Sequence, residues 1–165
     1  MAKRNCFYSF HYIPDNWRAA TVRSIGAIDG NKPTADNNWE TIKKGGDAAI
    51  KKWIADEMNG KSCVVVLVGS DTAGRKWIEH EIVEGWKAGK GIVGIRIHGL
   101  KNKDELTSTI GKNPFDSITF TGGKKLSSVV KCYDPQGANS QERYAWISKH
   151  LANAVEEAIV IRNNH

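Results

Sequence analysis

The chain has 165 residues, of which 40% are hydrophobic and 25% charged, a balance typical of a folded globular protein rather than a disordered one. Lysine and arginine outnumber the acids by 24 to 18, and the resulting +6 charge favours an anionic partner, either a nucleotide or a nucleic acid. Without a membrane-length apolar run or a secretory signal pattern, we expect one cytoplasmic domain covering residues 1–165.

The first half of the chain predicts a strand followed by two helices. The aromatic stretch CFYSF, residues 6–10, predicts the strand, and a helix opens at Pro14 and Asp15. The residues that recur at helical spacing along it are Trp17, Thr21, Ile25 and Ile28. Residues 29–38 are rich in Gly, Asn, Asp and Pro and predict a loop. A second helix is expected to begin near Asp47, which follows two glycines.

The second half contains the strongest strand signal. The second helix ends at Asn59-Gly60, and SCVVVLVGS, residues 62–70, is continuously apolar, as in a strand buried on both faces. A helix from about residue 75 to 90 and an apolar strand, GIVGIRI, follow it. Short strands are expected at 118–120 and 127–133, and a last helix begins near Ser140.

This alternation of strands and helices predicts a doubly wound α/β sheet, mainly parallel, with helices on both faces. Ligands of such sheets bind beyond the carboxyl ends of the strands. The predicted site therefore lies after Phe10, Val68 and Ile97.

Several well-defined sites are missing from this sequence. It has no GxGxxG, no GxxxxGK[ST] and no GxSxG, so common phosphate loops and the nucleophile elbow are not expected. Its three cysteines form no CxxC pair, which argues for reduced thiols and against a zinc ribbon. The EHE at residues 79–81 projects its side chains about 100° apart on a helix, so we expect no metal site there.

Glu81 is the residue that needs an explanation. It follows Trp77 by one helical turn and flanks the apolar stripe of its predicted helix. Spacing alone leaves two interpretations open: a surface glutamate, or a carboxylate that is paired with a base or faces a cleft.

Three stretches of the chain together resemble TIR domains. They are FYSFHY near the start, SCVVVLVGSDTAGRKWIEHEI in the middle and KGIVGIRIHGL after it. The closest resemblance is to the TIR-like proteins of the bacterial Thoeris antiphage systems, and it covers roughly residues 5–115. It implies a flavodoxin-like, TIR-like fold and an enzyme that cleaves the nicotinamide–ribose bond of NAD⁺, with NAD⁺ as substrate and no cofactor.

The resemblance also implies roles for individual residues. Glu81 corresponds to the catalytic glutamate, and residues 29–47 correspond to the mobile loop of the family. The candidate substrate-binding residues, implied by the resemblance or considered together with it, are Ser9, Phe10, His11, Trp77, Trp39 and Lys43. His11 orients the substrate or caps the first strand, and Trp39 stacks on adenine or anchors its loop. This chain lacks the arginines that some TIR enzymes carry after the first strand. The candidates for binding the pyrophosphate are therefore Lys43, Lys44 or Arg75.

A single carboxylate suits this chemistry. Nicotinamide leaves NAD⁺ without needing a proton, while the ribose develops oxocarbenium character that a carboxylate can stabilise. By family resemblance, the product is a cyclic ADP-ribose isomer that activates a separate effector, and subunits assemble into homo-oligomers; capture by water would instead give ADP-ribose. The alternatives are a non-catalytic TIR adaptor and a nucleoside deoxyribosyltransferase-like enzyme. Nucleic-acid binding, suggested by charge alone, comes last.

Overall fold

A five-stranded parallel sheet forms the centre of the computed structural model, which describes residues 3–30, 45–120 and 122–165. The strand order is β2-β1-β3-β4-β5, so the chain winds outward in both directions from β1 and β3. Within the described residues, the strands are β1 (Asn5–Ser9), β2 (Asp29–Gly30), β3 (Cys63–Val68), β4 (Gly91–Arg96) and β5 (Cys132–Tyr133).

Helices cover both faces of this sheet. They are α1 (Tyr12–Ser24), α2 (Gly46–Met58), α3 (Lys76–Lys87) and α4 (Ser140–Asn163), with 3-10 turns at Pro114–Ser117 and Leu126–Ser128. The helices α1 and α4 share one apolar core with the sheet, and α2 and α3 share the other. The predicted doubly wound, flavodoxin-like α/β fold is thereby confirmed.

Strand β3 explains why its sequence lacks polar alternation. Val64, Val66 and Val68 face α2 and α3, whereas Cys63, Val65 and Leu67 face α1 and α4. Because helices cover both sides, all six residues are fully buried. Strand β3 pairs with β4 over all six of its residues and with β1 over the first four, and it is the central strand of the sheet.

Two predicted strand assignments were wrong in detail. Asp29–Gly30 lies in the segment predicted as loop, yet it pairs with Asn5 and Cys6 as β2. The expected strands at 118–120 and 127–133 reduce to one isolated antiparallel bridge, between Thr119 and Lys125, and to β5. Two-residue strands have no room for a hydrophobic alternation, so the sequence pattern could not locate them.

The buried face of α1 also differs from the prediction. Trp17, which was expected on the inward stripe of the helix close to the rim, is 53% exposed, whereas the buried residues of the helix are Asp15, Arg18, Ala19 and Val22. Asp15 and Arg18 are one turn apart and form an ion pair of 2.9 Å inside the protein. A search for apolar periodicity passes over a helix that buries charge, which explains the error. Among the described residues, no helix is both long and apolar enough to cross a membrane.

Candidate functional site

The candidate site lies where β1, β3 and β4 end. In a parallel sheet these carboxyl ends share one edge, and they bring Ser9, Gly69 and Ile97 to the same side of the molecule. Helix α3 begins seven residues after Gly69, at Lys76, and carries both Trp77 and Glu81. The edge predicted from the sequence therefore exists, and the helix with the proposed acid starts beside it.

Glu81 is buried among the apolar side chains of α3. Only 7% of the residue is exposed, and the other buried positions of the helix are Ile78, Ile82 and Gly85. Burial raises the pKa of the Glu81 carboxyl well above its ordinary value, because the ionised form loses water that nothing fully replaces. Within the described parts of the chain, no ion pair involves this carboxyl. The interpretation as a surface glutamate is therefore wrong.

Ser9 is the group that approaches Glu81. Alternation along β1 places Ser9 on the same face of the sheet as Phe7, which packs in the core beneath α2 and α3. The Ser9 hydroxyl lies close enough to lower the pKa of Glu81, opposing the larger effect of burial. The two groups do not meet hydrogen-bond geometry, and Ser9 Oγ is buried without a partner in the described residues. The structure thus brings together two residues predicted for one site.

Trp77 lies one turn before Glu81 on α3. Its side chain is half-buried against the core under α2 and α3. The Lys76 Nζ atom lies 4.7 Å from the centre of the indole, and the His80 ring meets it edge-on at 5.5 Å. The indole is therefore held between two side chains of its own helix, which limits its rotation.

Phe10 and His11 follow β1 but face different surroundings from Ser9. Phe10 packs against the core beneath α1 and α4, on the opposite face of the sheet from Glu81. His11 precedes α1 as its N-cap residue, and its Nδ1 atom is buried without a partner among the described residues. Burial lowers the pKa of His11, and the nearby Arg75 lowers it further, so its neutral imidazole is favoured.

The structure describes only some of the residues predicted to contact the adenine or the pyrophosphate. Trp39, Lys43 and Lys44 lie outside the described residues, so these predictions stay open. Arg75 is the N-cap residue of α3, and its guanidinium pairs with the Asp71 carboxylate. An anion bound there would have to share Arg75 with Asp71.

The sequence prediction missed the residues that support this edge. Thr72 is buried, and its Oγ1 accepts a hydrogen bond of 2.7 Å from the Gly69 amide. Asp15 and Arg18, described above, were read as ordinary helix residues. The signal available in the sequence was two opposite charges three residues apart, directly after a strand, but the same spacing occurs on most solvated helices.

The first two residues of the EHE motif, Glu79 and His80, lie near the surface of α3, unlike Glu81. Residues 3–30, 45–120 and 122–165 contain no group of three or more side chains that could hold a metal ion. Glu79 instead accepts a hydrogen bond of 3.0 Å from the Ser117 hydroxyl. An open groove of about 720 Å³ runs between α2 and α3, lined by Lys51, Lys90 and His80 among others, but neither Ser9 nor Glu81 lines it.

Two comparisons with known proteins bear on the family of this chain. Residues 7–102 match the family model described as Thoeris protein ThsB, TIR-like domain. A protein of Bacillus cereus (strain MSX-D12), named "Putative cyclic ADP-D-ribose synthase ThsB1", is 36% identical over 134 residues, which cover 76% of this chain and 69% of the relative. The matched residues 7–102 include the end of β1 and all of β3 and α3, and with them Ser9, Trp77 and Glu81. The chain belongs to the Thoeris ThsB TIR-like family.

Proposed function

We propose that this protein consumes NAD⁺ and releases nicotinamide, with Glu81 as the catalytic residue. The observation that supports it most directly is a buried carboxyl, free of any ion pair in the described residues, beside Ser9 at the carboxyl end of β1. Burying such a group costs stability, so a function that needs a carboxylate in that place explains its presence. The name of the Bacillus cereus relative points to the same chemistry.

The reaction begins when the bond between the ribose carbon and the nicotinamide nitrogen breaks. The bonding electrons leave with nicotinamide, which becomes neutral, and positive charge develops on the ribose. The ionised Glu81 stabilises that charge and accepts hydrogen bonds from the ribose hydroxyls. Its effect is strong because water is largely excluded and the local dielectric is low.

Ser9 and Trp77 support this step in our proposal. The Ser9 hydroxyl lowers the pKa of Glu81 and so keeps a larger fraction of the carboxyl ionised at neutral pH. The half-buried Trp77 forms the wall that keeps water from the bond being broken. His11, with its neutral imidazole, lies at the same edge and contacts the ribose or nicotinamide.

We further propose that the ribosyl cation is captured within the same molecule. Attack by a hydroxyl or an adenine nitrogen of the nucleotide, with loss of a proton, gives a cyclic ADP-ribose isomer. This assignment follows the name of the relative, a cyclic ADP-D-ribose synthase. Such a product would diffuse to a separate effector, in keeping with a role in antiphage defence.

The test is incubation of the purified protein with NAD⁺, followed by chromatography for nicotinamide and mass spectrometry of the other product. A cyclic product lacks the elements of water that ADP-ribose contains, so mass separates the two outcomes. The adaptor alternative requires no nicotinamide release, either alone or with lysate from infected cells. If neither condition releases nicotinamide, the enzymatic proposal is wrong; if nucleosides but not NAD⁺ are cleaved, the deoxyribosyltransferase-like alternative is correct.

A further inference from the structure

Helix α1 buries an ion pair between Asp15 and Arg18, although apolar side chains alone would suffice to pack the helix against the sheet. The Arg18 and Asp15 side chains are 4% and 2% exposed, and Arg18 Nη1 donates to Asp15 Oδ1 at 2.9 Å. The second carboxylate oxygen, Asp15 Oδ2, is buried and has no hydrogen-bond partner in the described residues. Burial raises the pKa of Asp15, and Arg18 lowers it in turn. Leaving a carboxylate oxygen unpaired is costly, so the pair is not optimised for stability.

Arg18 joins α1 to the segment that follows β4, residues 98–113, which we name the rim segment. Its Nε donates to the Leu100 carbonyl at 2.8 Å, and its Nη2 donates to the Leu106 carbonyl at 2.9 Å. A second anchor comes from β4, where Arg96 donates to the Gly111 carbonyl. The planar guanidinium can reach two carbonyls and a carboxylate at once, which a lysine ammonium cannot do with the same geometry.

Asp15 contacts the residue that follows β3, at the same edge of the sheet as the rim segment. Its carboxylate presses against Gly69, where an added Cβ would overlap it. The rim segment closes over the same residue, because a Cβ at Gly111 would overlap the Gly69 carbonyl oxygen. Gly69 begins the loop between β3 and α3, residues 69–75, and Thr72 holds that loop through the Gly69 amide. The loop leads directly into the helix that carries Glu81.

We infer that Arg18, oriented by Asp15, is a positioning residue: it fixes the rim segment and the loop from β3 to α3, and through that loop the helix of Glu81. This inference rests on the proposed function for its catalytic consequence only. An apolar pair of similar volume would hold α1 on the sheet at least as well as a buried ion pair. It could not hold two carbonyls of the rim segment, and this is the contribution that the charged pair makes.

The test uses the double variant Asp15→Asn/Arg18→Met, which removes both charges together and leaves neither one buried alone. Two quantities are measured: the hydrogen exchange of residues 69–80 and 98–113, and kcat and KM for nicotinamide release. We expect exchange in both segments to become at least about tenfold faster, while β3 stays protected. We expect kcat to fall about 10- to 100-fold with a smaller change in KM, because small displacements of reacting groups are costly.

Two further variants make the result specific. Arg18→Lys keeps the charge but loses the planar guanidinium that reaches several acceptors. It should change hydrogen exchange and kcat in the same direction as the double variant. Arg4→Met breaks the exposed pair between Arg4 and Glu156, and it should change neither. If the double variant does not fold, Arg18→Lys alone decides.

The outcomes separate this inference from the proposed function. Faster exchange of residues 69–80 and 98–113 with an unchanged kcat would show that the pair is only structural and would overturn the inference. Unchanged exchange of both segments would overturn it as well. If the wild-type protein releases no nicotinamide, the proposed function fails, and exchange still decides the inference: faster exchange in both segments supports it, and exchange confined to α1 refutes it.

Discussion

Replacing Glu81 by glutamine should abolish most of the activity without unfolding the protein. The substitution keeps the size of a side chain that is 7% exposed and removes the charge that the mechanism uses. Because no described residue forms an ion pair with Glu81, in the proposed mechanism no neighbouring base competes with the ribosyl cation for the ionised carboxyl. Removing one such stabilising group costs about 10²–10³-fold in kcat, or about 3–4 kcal/mol. We expect nicotinamide release to fall by that factor.

The assay is the initial rate of nicotinamide release at saturating NAD⁺, with circular dichroism to confirm the fold of each variant. Glu84→Gln is the matched control, because Glu84 is an exposed glutamate of the same helix, three residues further on. Its rate should stay within about twofold of wild type, as for most surface changes. A Glu81→Gln protein that releases nicotinamide at the wild-type rate would refute the assignment of the acid.

The same substitution should increase stability in a defined pH range. Since burial raises the folded-state pKa of Glu81, the unfolded chain loses this proton first as pH rises. Folding stability therefore falls between the ordinary glutamate pKa and the raised one, and stays reduced above it. Glutamine avoids this penalty, which amounts to about 1.4 kcal/mol for each unit of pKa elevation. The melting temperature of Glu81→Gln should exceed that of wild type at pH 8 by more than at pH 4, and a reversed order would contradict the burial argument.

Three further predictions concern the surroundings of the site. Ser9→Ala removes a hydroxyl that lowers the pKa of Glu81, so the acidic limb of the pH–rate profile should move to higher pH; an unmoved limb would exclude Ser9 from this role. Phe115→Ala empties a fully buried position and should cost about 3–5 kcal/mol in urea unfolding, whereas a cost below about 1 kcal/mol would mean that the core closes over the gap. Gly69→Ala places a methyl group against the Asp15 carboxylate and should destabilise by about 1–3 kcal/mol, measured by thermal melting against the exposed control Ser148→Ala.

The central elements were predictable because a buried strand or helix has a recognisable pattern of apolar residues in the sequence. Strand β3 is covered by helices on both faces, so it is apolar at every position. Helix α2 was expected between Asp47 and Asn59 and extends over Gly46–Met58, since its apolar stripe and its Asn-Gly stop are both local signals. The Asn-Pro pair at residues 113–114 is another local signal, typical of a turn, and Asn113 Oδ1 accepts a hydrogen bond from the Phe115 amide at 2.9 Å.

The site was only half predictable for a physical reason. Helical spacing placed Glu81 beside the apolar stripe, but its burial depends on Ser9 and on the strand ends beneath it, which are distant in sequence. Family resemblance supplied the proposed catalytic role of Glu81, which spacing alone could not. The buried pair of Asp15 and Arg18 could not be found in either way, because Arg18 donates to main-chain carbonyls at Leu100 and Leu106, which any residue type would provide.

The distribution of unpaired polar atoms favours an enzyme over an adaptor. In the described ranges, six buried side-chain atoms lack a hydrogen-bond partner: Ser9 Oγ, His11 Nδ1, Asp15 Oδ2, Arg23 Nε, His98 Nδ1 and Ser108 Oγ. All but the arginine atom lie at the end of β1, just beyond it, or in the segment after β4. Each such group costs about 1–3 kcal/mol, and apolar replacements would remove that cost from a protein that only had to present a surface to another protein. Because the cost is concentrated at the edge where sheets of this kind bind ligands, a polar substrate explains it better than a protein partner does.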